Sequence, residues 1–529
     1  CQRSIEGFAI AKTAEGIVIG SRDEVVILDA STGADRWSAP INGRGTGLAV
    51  ANGHLLVATD RGTLHAFGLG GGITVGTPPP TTVRVQPNDA LLRAVRDAAM
   101  DRGLAIVLEP QTLDDALCLA TETDLHVVVI SSDPELRDAA RSSGLYGDRL
   151  VVLESPSIID HVANVVISND PPTDAAVRLV RPDGGILLSP SESLPFTVWT
   201  CGALDGAQDW SHPYAGAGNS ASNGDARVSG DAALQWFGGP GPARMVDRHL
   251  RTTASLAAGG RMFIPANDTI IAVDAYNGIE LWETPLEGFT RTGAPLDGGW
   301  WAVDGKDIFA AVADHAVRLD QRTGAIMDRL SLPVETNQED GREWGWLAVD
   351  DGLVLGSAAR PEAARREQSR AVIQEQYNDH QSLAVSQSVF AIDPVSRETK
   401  WVHHGDAIPN TTLAVHDGRV YFLESVNAPS KTGRLSGTAL HANGIDVVAL
   451  DATNGEELWR TPVDNPKIDH SVFLAVAHDT VVVTSSFDRN NQIRYRVATF
   501  DPKTGVPRWQ QEHDNNNEGT ETETERERE

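Results

Sequence analysis

The side chains that could do chemistry fall into a few short constellations. His403-His404 and Asp379-His380 pair imidazoles with a titratable neighbour, as a metal site or a proton relay would need. Adjacent residues of a strand point to opposite faces, however, which suits a chelate poorly. Both pairs therefore read as exposed or core histidines. Asp297, Asp304 and Asp307 could offer carboxylates to a cation, but their setting is that of turn residues. No metal site is expected. Cys1, Cys118 and Cys201 are too few for a disulfide framework, and no CxxC or CxxCH occurs. Patterns of the GxSxG, HExxH, phosphate-loop and calcium-loop kinds are missing. One further set follows an apolar strand, Leu104 to Leu108, in the turn Glu109-Pro110-Gln111-Thr112-Leu113. A nucleotide-type cofactor seats on such a turn when glycines let the backbone approach it and the next helix opens towards it. An acid roughly 20 residues on then takes the ribose hydroxyls. Here Glu109, Gln111 and Leu113 occupy the glycine positions. Ser131, 22 residues past Glu109, stands where the acid belongs, with Asp133 two residues further.

These residues sit in two kinds of sequence. From about Pro87 to Leu188 the spacing alternates between helical and strand-like. Helices are expected over Asp89 to Arg102, Thr112 to Thr121, Pro134 to Ser142 and Ala175 to Arg181. Strands are expected over Leu104 to Leu108, Leu125 to Ile130, Leu150 to Leu153, Val162 to Ile167 and Ile186 to Leu188. Alternation of this kind builds a parallel-sheet α/β domain. Gly70-Gly71-Gly72 and Pro78-Pro79-Pro80 mark its start.

The flanks are organised around a repeated phrase, complete in Ile270 to Trp282, IIAVDAYNGIELW. An alternating apolar strand ends in an aspartate, a turn carries a glycine, and a tryptophan follows four residues later. Val25–Trp37, Val447–Trp459 and Val497–Trp509 are complete copies. Ala316–Leu330 has Asp328 in place of the tryptophan, and Val389–Trp401 has Arg397 in place of the glycine. From Asp274 onwards the aspartates step by 46, 73, 58 and 50 residues. The longest step includes a polar excursion, Arg360 to Gln387. Repeats near 45 residues with about four strands each are propeller blades, which bury their faces only against neighbours. Trp37, Trp282, Trp401, Trp459 and Trp509 are expected to pack between blades.

The chain has 529 residues and a net charge of -29. That charge would repel phosphates, so nucleic acid is not expected as a partner. The segment Glu512–Glu529 contributes -6 of it and is expected to be disordered. No apolar run reaches the roughly 18 residues of a membrane helix. Cys1 reads either as the lipid-bearing start of a mature bacterial lipoprotein, the one route to a membrane tether, or as the end of a fragment.

The phrase A-x-D-x-x-x-G-x-x-x-W resembles the repeats of the quinoprotein alcohol dehydrogenase-like propellers, which include BamB-type assembly lipoproteins. The resemblance covers about residues 5–70 and 196–511. It implies seven or eight blades, with degenerate ones around Leu55–Phe67 and Trp199–Trp236. Asp209 to Asn223 is similar to the lead-in strand of such propellers. The layout also resembles planctomycete-type proteins that embed a methyltransferase-like domain in this propeller. Quinoprotein dehydrogenases of this kind carry a vicinal Cys-Cys disulfide, a calcium and an aspartate base, and the chain has no Cys-Cys pair. The strand and helix order of the insert resembles class I S-adenosylmethionine-dependent methyltransferases. Arg178 to Gly185 looks like their late L-R-P-G-G turn, and Asn169-Asp170-Pro171-Pro172 like their N/D-P-P-aromatic motif, with Thr173 in place of the aromatic. Glu109, Gln111, Leu113, Ser131 and Asp133 are then the cofactor positions of a degenerate site.

The sequence thus predicts a mainly β protein: a seven- or eight-bladed β-propeller with an inserted α/β Rossmann-like domain. Residues 1–70 and 196–511 form the propeller, 71–195 the insert and 512–529 the tail. The expected role is a non-catalytic scaffold for protein partners, in the periplasm or cell envelope and with no cofactor. The alternatives are a methyltransferase using S-adenosylmethionine through the insert, and an oxidoreductase using pyrroloquinoline quinone.

Overall fold

The structure, a computed structural model, describes residues 5–514 apart from 6, 15, 69–86, 155–157, 170–172, 190, 192–194, 229, 231–232, 337–340, 370, 372–373, 375–380, 427–431 and 491. Cys1, the glycine and proline runs near residues 70–80, Asp170-Pro171-Pro172, Asp379-His380 and the tail beyond 514 lie outside the described residues. The protein is a mainly β propeller carrying an α/β insert, and its contacts divide it into residues 1–81 and 82–529.

The first unit is one antiparallel meander of six strands in chain order, from Ala9–Lys12 to Leu64–Gly68. Val18, Val25, Ile41, Leu55 and Val57 form its core. Leu55 and Phe67 lie on its last two strands.

The second unit opens with the α/β insert. Its sheet runs, by residue range, Thr197–Thr200, Ile186–Ser189, Val165–Ser168, Arg102–Leu108, Asp124–Ile130, Leu150–Leu153. All pairs are parallel except the outermost, Ile186–Ser189 with Thr197–Thr200. Local chemistry sets its helices. Asn88 accepts from the Leu91 amide and starts Asp89–Asp97, which buries Leu91, Leu92 and Val95. Asp133 caps Pro134–Ser142 in the same way, with proline at the first position. The helix expected over Ala175 to Arg181 closes after one turn, Asp174–Val177, and frees Arg181. Trp199 is not part of a degenerate blade. Its strand pairs with Leu187 of the insert, and residues 201–250 contain no strand among those described. The insert's sheet therefore runs past residue 195.

Five four-stranded blades follow, over residues 256–285, 301–331, 343–409, 414–462 and 472–514. With the six strands of the first unit, these are the propeller strands among the described residues. The last strand runs Pro507–Asp514, so Glu512, assigned from sequence to the tail, is in a blade.

Each phrase builds the same corner. A register shift lies just before the aspartate in all six copies, at 27/28, 272/273, 318/319, 391/392, 449/450 and 499/500. The extra residue sits just ahead of the tryptophan position, and such a bulge re-aims the side chain that follows. The aspartate Oδ1 accepts from turn amides, for example Thr453 and Asn454 onto Asp451. The glycine position is left-handed throughout: φ is 69° at Gly33, 71° at Gly278, 70° at Gly324, 75° at Gly455 and 70° at Gly505. Arg397 keeps the conformation at 62°, so losing the glycine did not change the turn. Two of these carboxyls, Asp393 and Asp501, are held low. Asp393 is at about 2, chiefly through the Ser396 amide, and Asp501 at about 2, chiefly through Arg508. A depressed carboxyl stabilises above its unfolded value, so the turns lose this contribution only as pH falls from about 4 towards 2.

The segment Trp210 to Asn219 is not the lead-in strand that the sequence suggested. It threads past the first strand of every blade in this unit. Trp210 exchanges two backbone hydrogen bonds with Ala257, and Ser211 O accepts from Val303. His212 Nε2 accepts from the Val349 amide at 3.1 Å, Ala217 O from Val415 and Gly218 O from Val476. Asn219 Nδ2 donates to Leu413 O and Leu474 O. The five first strands therefore converge on one irregular segment. Accepting at Nε2 places the His212 proton on Nδ1, which faces Ser211 Oγ at 2.8 Å. Burial holds this imidazole down to about 4 and so neutral.

Candidate functional site

The insert's expected cofactor positions lie at the carboxyl end of its central strands. Strands Arg102–Leu108 and Val165–Ser168 are neighbours with their crossovers on opposite sides, which makes the topological switch point where ligands enter open α/β sheets. Asn169 Nδ2 bridges that crevice to Glu109 O at 3.2 Å. Glu109 is left-handed, with φ 41°, although it is not glycine. Its amide donates to Ile130 O. Gln111 is exposed, and Leu113 is buried in the insert's core at the helix start. Ser131 is buried, and its Oγ accepts from the Asp133 amide. Asp133 caps the following helix. The turn thus keeps a glycine-like backbone at Glu109 and sends Leu113 into the core, while Ser131 and Asp133 serve the start of the next helix.

The other sequence candidates are dispersed. His403 and His404 lie within the strand Thr399–Pro409, and His403 Nε2 is 3.8 Å from Glu424. Cys118 is buried, and its thiol is pushed up by burial. Asp304 ends a strand, and Asp307 pairs with Arg318 at 2.6 Å. Asp297 is not an exposed turn residue. It is buried at the end of a short helix, takes Asn410 Nδ2 at 3.3 Å and faces Arg291 at 4.0 Å. Among the described residues no three of His, Cys, Asp and Glu are placed to hold a metal.

The phrase residues form junctions instead. Trp282 Nε1 donates to Gln321 O at 3.1 Å, and its ring lies where a Cβ on Gly324 would be, 2.4 Å from that position. Trp401 repeats this on Ala452 and Gly455, and Trp459 on Pro502 and Gly505. Trp236, expected at the end of a degenerate blade, instead caps the first of these five blades: it donates to Ala275 O and covers Gly278. Thr284 and Thr461, two residues after their tryptophans, donate to Gly324 O and Gly505 O. Trp37 packs edge-on against Phe67 at 5.1 Å, and Trp509 is exposed.

The two eroded phrases turn out to be one junction. Asp328 replaces the tryptophan of the second of these blades, and Arg397 replaces the glycine of the third. Arg397 Nε lies 2.7 Å from Asp328 Oδ2. A salt bridge therefore stands where indole-on-glycine stands elsewhere. A pair with one exposed partner, Arg397, and one largely covered, Asp328, is worth about 1 kcal/mol or less, while a buried indole contributes roughly 2–3 kcal/mol. The double variant Asp328→Trp/Arg397→Gly is expected to raise the urea midpoint by the equivalent of about 1–2 kcal/mol. Asp328→Ala alone is expected to lower it by less than about 1 kcal/mol. No gain in the double variant would show that this junction is shaped for the ion pair.

A buried polar cluster joins the insert to the first of these blades. Arg181, in the turn that resembles the L-R-P-G-G motif, places Nε 3.2 Å from Asp274 Oδ2, and both side chains are almost wholly buried. Asn164 Nδ2 donates to the same oxygen at 2.9 Å. Asn277 Nδ2 donates to Asn164 Oδ1 and Val162 O. Arg181 Nη1 reaches Gly260 O, and Tyr276 OH donates to Asp183 Oδ2 at 3.1 Å. Burial and Asp183 push the Tyr276 phenol up. Gly103 matters here: with φ 123°, a Cβ on it would fall 2.1 Å from Asn164 Oδ1. Asp274, Asn277 and Gly278 are phrase residues, so the repeat turn of this blade is the insert's docking site. Sequence reading identified both turns but had no signal that they meet.

A sequence profile described as outer membrane protein assembly factor BamB matches residues 21–87 and 266–527, more than half of the chain. No curated protein matches it. Similar solved structures include BamB from Moraxella catarrhalis, 12% identical over 96% of this chain and 88% of that one, with a TM-score of 0.32. A europium-containing methanol dehydrogenase is 12% identical over 53% and 66%, at 0.32. A structure from Methanococcus maripaludis described as an S-adenosyl-L-methionine-dependent methyltransferase is 14% identical over 19% and 52%, at 0.17. Scores this low carry no weight for function.

Proposed function

The chain belongs to the family of the outer membrane protein assembly factor BamB, and from that membership we propose that it is a non-catalytic binding and scaffold protein of the bacterial cell envelope, with a pseudo-methyltransferase insert as part of its platform. One observation supports this most. The insert's late turn, through Arg181 and Asp183, holds the propeller through buried bonds to Asp274, Gly260 and Tyr276. At the other end of the same sheet Leu113, Ser131 and Asp133 serve core and caps, which suits a structural domain better than a cofactor seat. Fold alone does not assign the role, so the test is chemical. Calorimetric titration of the full chain with S-adenosylmethionine is expected to give no saturable heat, and labelled methyl groups to reach no envelope protein. Micromolar binding would overturn the reading in favour of a methyltransferase.

A further inference from the structure

A cavity of about 250 Å³ lies beside the seam, at the end of the insert's sheet opposite the switch point. Arg102 and Arg181 of the insert line it, as do Arg261 and Arg322 of two consecutive blades. Two carboxylates, Asp101 and Asp274, line it as well, with Asn164 and Trp282. Four guanidiniums around one recess stand out in a chain of net charge -29. Two of them are already matched: Arg102 with Asp124 at 2.5 Å, and Arg181 with Asp274. Neither Arg261 nor Arg322 forms an ion pair among the described residues. The carboxylate nearest Arg322 in sequence, Asp320, has its Oδ1 taken by the Arg322 and Thr323 amides and by Thr323 Oγ1. Arg261 gives one Nη1 bond to Gly259 O, and its buried Nε has no partner. Burial and the charge of Arg181 push this guanidinium down from its ordinary value. Asp274 and Asp320 act on Arg261 from beyond ion-pair distance and offset burial and the Arg181 and Arg322 charges only in part, so a bound anion would relieve the remaining cost.

We propose that this recess is an oxyanion site for a phosphomonoester with a small polar body. Arg261 and Arg322 would be its primary ligands and Trp282 an apolar wall. The space equals roughly eight waters, more than a bare oxyanion needs and less than a nucleotide. Guanidinium forks match phosphate oxygens two at a time. The site does not depend on the scaffold reading, since neither the switch point nor any partner takes part in it.

The test is calorimetry and thermal melting of the full chain with inorganic phosphate, glycerol 3-phosphate and vesicles of phosphatidate in phosphatidylcholine, against chloride of equal ionic strength. Saturable one-to-one binding of glycerol 3-phosphate is expected, weakened at least tenfold in Arg322→Gln. Arg261→Gln is expected to melt at or above wild type without phosphate, because repulsion is relieved, and to lose the rise that phosphate produces. Binding to vesicles alone, lost in Arg322→Gln, would support the same chemistry with a lipid headgroup as its source. Responses equal to chloride, or unchanged affinity in Arg322→Gln, would overturn the proposal. So would an Arg261→Gln variant that melts lower and still responds to phosphate.

Discussion

Arg181→Met is expected to lower the stability of the second unit by about 3–5 kcal/mol. The substitution keeps most of the side-chain volume and leaves Asp274 buried and charged, with the Asn164 and Tyr276 amides but no ion-pair partner. Removing one partner of a buried pair costs that much because the remaining charge has neither water nor counter-ion. The sharper expectation concerns Arg181→Met/Asp274→Asn. Asparagine keeps the Oδ1 that accepts from the Tyr276 amide and removes the stranded charge. The double variant should recover about 2 kcal/mol or more of the loss. Urea denaturation of the four proteins of this cycle measures it. Additive losses would mean that the arginine acts through packing and not through charge.

Trp282→Ala is expected to cost about 3–5 kcal/mol, the range for truncating a buried aromatic. Trp282 is 9% exposed, packs near Phe263 and covers the Gly324 turn. Gly324→Ala should cost about 2–4 kcal/mol, from a left-handed backbone and a methyl forced towards the indole. Trp282→Ala/Gly324→Ala should fall short of the sum, because removing the indole makes room for the methyl. Full additivity would show that the two residues do not form one junction.

The propeller was legible because its signal repeats. A bulge, an aspartate-bonded turn, a left-handed residue and a tryptophan recur at fixed offsets, and each is a local demand of the backbone. The insert's strands and helices were legible for the same reason: Asn88, Asp133 and Pro134 announce their own helices. What stayed hidden depends on contacts between distant segments. Trp236 lacks the phrase around it, yet it docks as the others do. Asp328 and Arg397 each looked like decay, and only their opposite charges, one blade apart, hinted that they meet. Trp199 seemed to open a blade but completes the insert's sheet, because an antiparallel strand at a sheet edge leaves no distinct pattern. Arg181 and Asp274 lie 93 positions apart, and nothing local to either reports the burial of both.

The proposed role makes the insert part of the platform and not an independent cofactor domain. Amide hydrogen exchange of the full chain, with and without S-adenosylmethionine, tests this directly. The expected result is that Val165–Ile167 of the insert and Ile270–Val273 of the first of these blades open together, with similar free energies, and that the cofactor leaves exchange at Glu109–Leu113 unchanged. Independent opening of the insert, together with slowed exchange at Glu109–Leu113 when S-adenosylmethionine is added, would contradict it.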